Sequence, residues 1–396
     1  MSKITIRDID VTGKKVLVRV DYNVPLDPVD NSIMDDSRMR ATFPTIKYLV
    51  EHGARTILLT HLGRPDGKVV ENMRMERVAL RLSQLIALRV MFSRECVGDE
   101  VKKQVAAMKN GDILMLENVR FHPEEEANDP AFAKKLAELA DIYVDDAFGT
   151  AHRAHASTVG VTKFLPAYCG LLMEKELKSL GNILTAPEHP FTALLGGAKV
   201  SDKMGVIKNI LDKVNLFLIG GSMASNFLWV NGFGVGLSKI ESDKKDIIKS
   251  IMDACNKAKV PLILPVDVIV TRDIKGKDNA DVADIAKVPP DQYIVDIGPR
   301  TIEIYIKKLQ ESKTVFWNGP MGIYELSKFS QGTVTMAKTI AGLKATTVVG
   351  GGSTAEIVED MKLTDFMTHV STGGGASLEF LEGKTLPGVA ALLDKK

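Results

Sequence analysis

Charge of a single sign is missing from this chain. Its 396 residues carry 51 lysines and arginines against 50 aspartates and glutamates, a formal net charge of +1. No global field draws it to nucleic acid or an anionic membrane, so any affinity for anions must come from local clustering. Cysteine is scarce too. Cys96, Cys169 and Cys255 lie far apart, match no zinc-binding spacing, and fit idle or buried thiols in a reducing compartment. No apolar run approaches the ~20 residues that cross a bilayer. Residues 1–10 are polar and charged, unlike a signal peptide. A soluble, cytoplasmic protein is expected. Low-complexity segments and short-period repeats are absent, and no G-x-x-x-x-G-K-[ST] sequence occurs, which disfavours a P-loop fold. There are seven histidines; His152 and His155 flank Arg153 but lack an obvious set of metal partners. With no clear nucleophile–base pair, a reaction needing no protein nucleophile fits best. Phosphoryl transfer is one, catalysed by positioning and charge neutralisation.

What the chain does have is alternation. Short apolar runs and amphipathic stretches follow one another from end to end, the pattern of βαβ units and a mostly parallel sheet. A chain of this length implies roughly two to three domains, by a prior of ~150 residues each, and a hydrophobic fraction of 45% is ordinary. The main boundary is expected near 165–190. A helix is predicted over 171–180, and 181–190, with two prolines and a glycine, reads as a hinge or linker. Asp129 should cap a helix that has Pro130 in its first position and continues over 131–140. Ser242 could cap 243–258. Gly53 should end a helix over 39–52, with Pro44 near its start. Residues 383–396 could be a frayed tail or a strap onto another domain.

Two sets of predicted strands end in different chemistry. In the first half, 16–20 leads to Asp21, Asn23 and then Arg38. The run 56–60 leads to His61 and Arg64, 113–116 to Asn118 and Arg120, and 142–144 to a loop carrying Arg153. Ligands of open α/β sheets bind at the carboxyl ends of strands. Guanidinium groups grip phosphate and carboxylate at two points, and Asp or Asn could accept from a hydroxyl. A small molecule bearing phosphate, carboxylate and hydroxyl would suit this set.

In the second half the strands end in glycine. The run 192–195 leads to Gly196–Gly197, 216–219 to Gly220–Gly221, 346–349 to Gly350, Gly351 and Gly352, and 369–372 to Gly373, Gly374 and Gly375. Residues 350–355 read G-G-G-S-T-A, a glycine turn that could present a phosphate to the start of a helix over 355–361. The match to G-x-G-x-x-A would also fit a nicotinamide dehydrogenase. Residues 373–375 repeat the arrangement before 376–381. Lys199 and Lys203, four apart, would share one helix face after Gly196–Gly197, a place suited to polyphosphate. The W-N-G-P run at 317–320 marks another strand end, with Asn318 inside it and Glu325 beyond. Glu325 could accept from ribose hydroxyls or be a solvent-facing helix residue.

Taken together, and in order, these segments resemble the phosphoglycerate kinase family over essentially the whole chain. They are VRVDYNVP at 18–25, THLGRP at 60–65, LENVRFHP at 116–123, DDAFGTAHRAHAST at 145–158, GGAKVSDK at 196–203, WNGPMGIYE at 317–325 and STGGGASLE at 371–379. The resemblance implies an α/β protein of two doubly wound parallel-sheet (Rossmann-like) domains joined by a hinge. The first domain would span 1–170 with residues 383–396 as a strap, the hinge 171–190, and the nucleotide domain 191–382. It implies transfer between ATP and the carboxylate of 3-phosphoglycerate, giving ADP and 1,3-bisphosphoglycerate, by a magnesium-dependent monomer. Asp21, Asn23, Arg38, His61, Arg64, Arg120 and Arg153 would hold the phosphoglycerate. Lys203, Asn318, Glu325, Gly350, Gly351, Gly352, Ser353 and Thr354 would hold the nucleotide. Lys199 and Arg38 would neutralise the phosphoryl group in flight, with the helix start at Gly373, Gly374 and Gly375. The family usually carries aspartate after its third glycine, next to the metal. Here the residue is Ser353, so protein coordination of magnesium should be weaker, with phosphates and water carrying the ion.

Overall fold

Apolar runs buried on both faces build the main sheets, as parallel strands covered by helices require. In the computed structural model, which describes residues 2–395, the strands of the first half are β1 (Lys15–Arg19), β2 (Arg55–Leu59), β3 (Val90–Phe92), β4 (Ile113–Met115), β5 (Ile142–Asp145) and β6 (Ala167–Cys169). They pair in parallel in the order β3-β4-β2-β1-β5-β6. The second half contributes β7 (Phe191–Leu195), β8 (Leu216–Ile219), β9 (Leu262–Ile263), β10 (Asp267–Thr271), β11 (Asp281–Asp284), β12 (Tyr293–Ile297), β13 (Thr314–Asn318), β14 (Thr346–Gly350) and β15 (His369–Val370). Six of these form a second parallel sheet, β15-β14-β13-β7-β8-β9. The remaining three form an antiparallel sheet, β11-β10-β12, which the alternating pattern did not predict. Each parallel sheet packs its helices around its own core, with Val18, Leu58 and Val144 in one and Leu194, Leu218 and Trp317 in the other.

The chain divides into two compact units, Met1–Lys178 with Thr385–Lys396, and Ser179–Lys384. Met1 and Lys396, the end residues of the predicted first domain and strap, lie outside the described residues. The C-terminal segment is tied within the first unit. Ile4 N donates to Leu393 O at 2.9 Å, and Lys3 pairs with Asp394 and Lys395 with Asp8 at 2.8 and 2.7 Å. Gly383 and Lys384 of the predicted strap belong to the second unit.

Several helices differ from expectation. The predicted 39–52 helix is two, Ser37–Ala41 and Phe43–Glu51. Pro44 has no N–H to return to a carbonyl one turn back and restricts Phe43, so the helix restarts at that point. The helix Leu171–Thr185 runs past Gly181 into the predicted linker, and the unit boundary falls inside it. Ser242 opens a single tight turn, Ser242–Lys244, and the long helix begins at Lys245. Asp129 does cap its helix, accepting from Phe132 N at 2.8 Å, but that helix ends at Ala137.

Candidate functional site

In the first unit the carboxyl ends of four parallel strands bring a set of basic groups around His61. The imidazole is buried, 4% exposed, at the end of β2. Its pKa is driven well below the ordinary value, by burial first and then by the positive charges of Arg19, Arg120, Arg38 and Arg153. Four guanidinium groups from separate parts of the chain are thus close enough to oppose its protonation. Arg19 Nη2 donates to His61 Nδ1 at 3.2 Å, so the neutral ring carries its proton on Nε2.

Each predicted residue of this set has a defined place. Arg38 sits on the short helix Ser37–Ala41 and donates to Asp21 Oδ2 at 2.7 Å. Asp21 Oδ1 lies 4.0 Å from His61 Nδ1 and accepts from Asn23 N at 3.3 Å. Asn23 Oδ1 accepts from Gly63 N at 2.8 Å, which ties the loop after β1 to the loop after β2. Arg120, 7% exposed, donates to Gly63 O at 2.9 Å and pairs with Glu126 at 3.1 Å. Asn118 supports it from below, accepting from Arg120 N at 3.1 Å. Arg153 is half-buried and bonds His152 Nε2 at 3.1 Å. Arg64 is exposed and forms no ion pair among the described residues.

One residue missed in the sequence lies at the base of this cluster. Arg19, 1% exposed, sits within a run that reads as pure strand. It donates to the Val20 carbonyl and, at 2.9 Å, to Ser157 Oγ. Ser157 Oγ donates to buried Glu125 at 2.6 Å, and His155 lies 3.6 Å from the same carboxylate. A charged residue set one position before the end of an apolar run, as Arg19 is in VRVD, is the available signal.

The second unit presents backbone where the first presents side chains. The loops after β7, β8 and β13 pack main chain on main chain. Gly196 N donates to Asn318 O at 2.9 Å, Gly197 N to Pro320 O at 2.8 Å, and Gly221 N to Met321 O at 3.0 Å. A Cβ on Gly319 would stand 2.3 Å from Gly196 O, at a φ of +92°. These glycines are therefore required by the fold itself. The others differ. A Cβ on Gly352 or Gly375 would meet nothing within 4 Å, whereas Gly374 has the same open space but a φ of +52° that favours glycine. Gly352 and exposed Ser353 form the first turn of the helix Gly352–Asp360, and Gly375 opens Gly375–Leu381. Gly373 N donates to Ser371 Oγ at 3.2 Å.

Asn318 and Thr354 are buried and work between these loops. Asn318 Nδ2 donates to Gly350 O at 2.7 Å, and Thr354 Oγ1 accepts from Gly319 N at 2.7 Å. Glu325 is exposed in a turn, not on a helix. Lys199 and Lys203 share no helix face, because the chain between β7 and Met204 is irregular and the helix Met204–Ile210 starts only after Lys203. Lys203 is half-buried, and burial draws its pKa down against the pull of Asp202 and Glu382. Lys199 is exposed. No cluster of three or more His, Cys, Asp or Glu side chains suited to a metal occurs among the described residues.

The family described as phosphoglycerate kinase matches residues 6–384. The chain is 52% identical over 395 residues to the phosphoglycerate kinase of Pelotomaculum thermopropionicum and 51% identical over 399 residues to that of Dictyoglomus turgidum, covering 100% of each pair. Its fold matches the solved phosphoglycerate kinase of Coxiella burnetii with a TM-score of 0.88 at 38% identity, and that of Pyrococcus horikoshii with 0.86 at 35%, each over 98% of both chains. A guanidinium-lined sheet edge in one unit, glycine-led helix starts in the other, and full-length likeness to these relatives lead to one conclusion: the chain belongs to the phosphoglycerate kinase family.

Proposed function

We propose a division of labour for the family reaction, ATP-dependent phosphoryl transfer with 3-phosphoglycerate, between the two units. The first holds the phosphoglycerate through Arg38, Arg64, Arg120 and Arg153, with His61, Asp21 and Asn23 on its hydroxyl and carboxylate. The second holds ADP or ATP through Lys203, Asn318, Glu325 and the loop of Gly350, Gly351, Gly352, Ser353 and Thr354. Lys199 and Arg38 act on the phosphoryl group in transit, with the N–H groups after Gly373, Gly374 and Gly375. The observation that carries this reading is the neutral, buried His61 among four guanidinium groups. Such a concentration of fixed positive charge at strand ends is suited to a small polyanion.

The accepting carboxylate has a reference pKa near ~4 and is already ionised at neutral pH, so no general base is needed. The barrier is the approach of two anions, which fixed positive charge offsets. Magnesium fits as an ion held chiefly by nucleotide phosphates and water, with the exposed Ser353 hydroxyl as one hard oxygen donor; bound there, it would neutralise phosphate charge. With the two ligands assigned to separate units, transfer requires a hinge motion that brings them together, and the helix Leu171–Thr185 is the proposed hinge element. The enzyme is proposed to work as a monomer in the cytoplasm, where its three buried free thiols would stay reduced.

Arg38→Ala in a coupled assay with 3-phosphoglycerate, ATP and magnesium tests the assignment. The expected result is a fall in kcat on the order of 10²–10³, with a modest change in KM. A rise in KM for phosphoglycerate alone would make Arg38 a binding residue only.

A further inference from the structure

The irregular segment that carries Lys199 and Lys203 has no helix or sheet ladder to satisfy its amides. Buried amides need partners, and a loop without them is neither stable nor fixed in place. Here the partner comes from a distant part of the unit. Glu241 Oε2 accepts from Val200 N at 2.7 Å and from Ser201 N at 3.1 Å. Its other oxygen, Oε1, accepts from the Ser201 hydroxyl at 2.6 Å. Three hydrogen bonds thus land on two of the three residues between the lysines, Val200 and Ser201. Glu241 is itself anchored, because its N–H donates to Oδ1 of Asn226, 1% exposed on the helix Gly221–Val230, at 2.7 Å.

The rest of the segment depends on this grip. Val200 is fully buried, and its carbonyl accepts from Lys203 N at 3.0 Å. Lys199 is exposed and no hydrogen bond among the described residues holds its ammonium, so the backbone sets where its side chain starts. Glu241 is absent from the charges that shift Lys203, whose acidic neighbours are Asp202 and Glu382. Burial opposes the ionisation of Glu241, but the Ser201 hydroxyl and the amides of Ser201 and Val200 outweigh it and hold its pKa below the ordinary value. The carboxylate therefore remains an acceptor at neutral pH.

We propose that Glu241 is a positioning residue for phosphoryl transfer, clamping Val200 and Ser201 so that Lys199 meets the transferring group and Lys203 the nucleotide. It touches neither substrate and acts through the backbone of the lysine segment. The proposal rests on the role given to Lys199 above. Displacing a charge-neutralising group by about an ångström costs up to ~100-fold in rate.

Steady-state kinetics of Glu241→Ala, Glu241→Gln, Ser201→Ala, Lys199→Ala and the Glu241→Ala/Lys199→Ala double variant test it, alongside thermal melts. Glu241→Ala should lower kcat ~10- to 100-fold, leaving KM for 3-phosphoglycerate within about twofold. Glu241→Gln keeps one carbonyl acceptor for the two amides, and its NH2 can donate to the Ser201 hydroxyl. It should recover most of kcat. Ser201→Ala loses only one bond and should fall severalfold in kcat without a lower melting temperature, which decides the matter if Glu241→Ala does not fold. In the Lys199→Ala background, Glu241→Ala should have almost no further effect on kcat. The clamp is overturned if Lys199→Ala lowers kcat while Glu241→Ala and Ser201→Ala do not. It is equally overturned if Glu241→Gln falls as far as Glu241→Ala, or if the double variant is fully additive. If Lys199→Ala itself keeps full kcat, the role assigned to Lys199 fails instead, and the clamp with it.

Discussion

The two units share an arrangement of six parallel strands, yet the sites proposed at the carboxyl ends of those strands are built in opposite ways. In the first, charge is carried by side chains that are themselves held. Arg19 and Arg120 are buried, Arg38 is paired with Asp21, and the loops are laced by Asn23 and Asn118. In the second, the groups proposed to meet phosphate include backbone amides at helix starts, beside the side chains of Lys199 and Lys203. A small, branched polyanion rewards a fixed set of two-point guanidinium contacts. A polyphosphate chain can instead lie along N–H groups of a helix end. The same kind of sheet edge thus carries two proposed sites that should differ in sensitivity to substitution.

Glycine substitutions give the largest contrast within the second unit. Gly319→Ala places a Cβ 2.3 Å from Gly196 O at a φ of +92° and should destabilise by at least ~1–3 kcal/mol, lowering the melting temperature by several degrees. Gly352→Ala puts its Cβ into open space at an ordinary φ. Its melting temperature should be unchanged, or its stability raised by about 0.4–1 kcal/mol. Equal destabilisation by the two would erase the distinction between glycines kept for packing and glycines kept for a ligand.

Buried charge in the first unit should appear as pH dependence. Asp146, fully buried, is pushed up to about 7 from an ordinary 3.8 by burial, which outweighs its hydrogen bonds. Between those values the folded protein keeps a proton that the unfolded chain releases, so this group's contribution to stability falls as pH rises through the window. Asp146 Oδ1 alone accepts from Leu172 N and Met173 N, at 2.9 and 3.1 Å, and asparagine can do the same. Asp146→Asn should therefore gain on wild type between pH 5 and pH 8, on the order of 1–3 kcal/mol, in denaturant unfolding at each pH. His61 titrates in the opposite sense, since its depressed pKa loses stability as pH falls below the ordinary 6.5. The difference between variant and wild type isolates Asp146 from it. A constant difference across that range would mean that Asp146 is ionised throughout.

The smallest expected effect concerns Ser353. If phosphates and water carry most of the ion, adding a carboxylate by Ser353→Asp should shift the magnesium dependence of the rate severalfold toward lower concentration. Identical titration curves for the two proteins would remove Ser353 from the metal's surroundings.

Much of this was legible in the sequence because parallel strands read as apolar runs and their ends as the next polar or glycine residue. Asp21, His61, Arg120 and the glycines after β7, β8, β13 and β14 all stand where that reading puts them. What failed was anything set by partners distant in sequence. Arg19 lies inside a strand run, and only the fold shows Ser157 and His61 beside it. The irregular course between Lys199 and Lys203 follows from Glu241, some forty residues on, offering its amides acceptors that a helix would otherwise supply. The break at Thr42 is local, but its hydroxyl is held by Tyr22, 2.6 Å away across the core, and no periodicity contains that bond. In the β11-β10-β12 sheet, β11 has no buried residue and begins and ends in aspartate, so it carries a weak pattern.

Binding measured one ligand at a time bears most directly on the division between the units. Calorimetric titration of wild type, Arg153→Ala and Gly352→Ala with 3-phosphoglycerate and with ADP would separate the two sites. Arg153→Ala should weaken 3-phosphoglycerate about 10- to 100-fold, the worth of one charge-assisted bond, with ADP affinity within about twofold. Gly352→Ala should weaken ADP about tenfold and leave 3-phosphoglycerate unchanged. Loss of ADP affinity in Arg153→Ala, or of 3-phosphoglycerate affinity in Gly352→Ala, would contradict the assignment of one ligand to each unit.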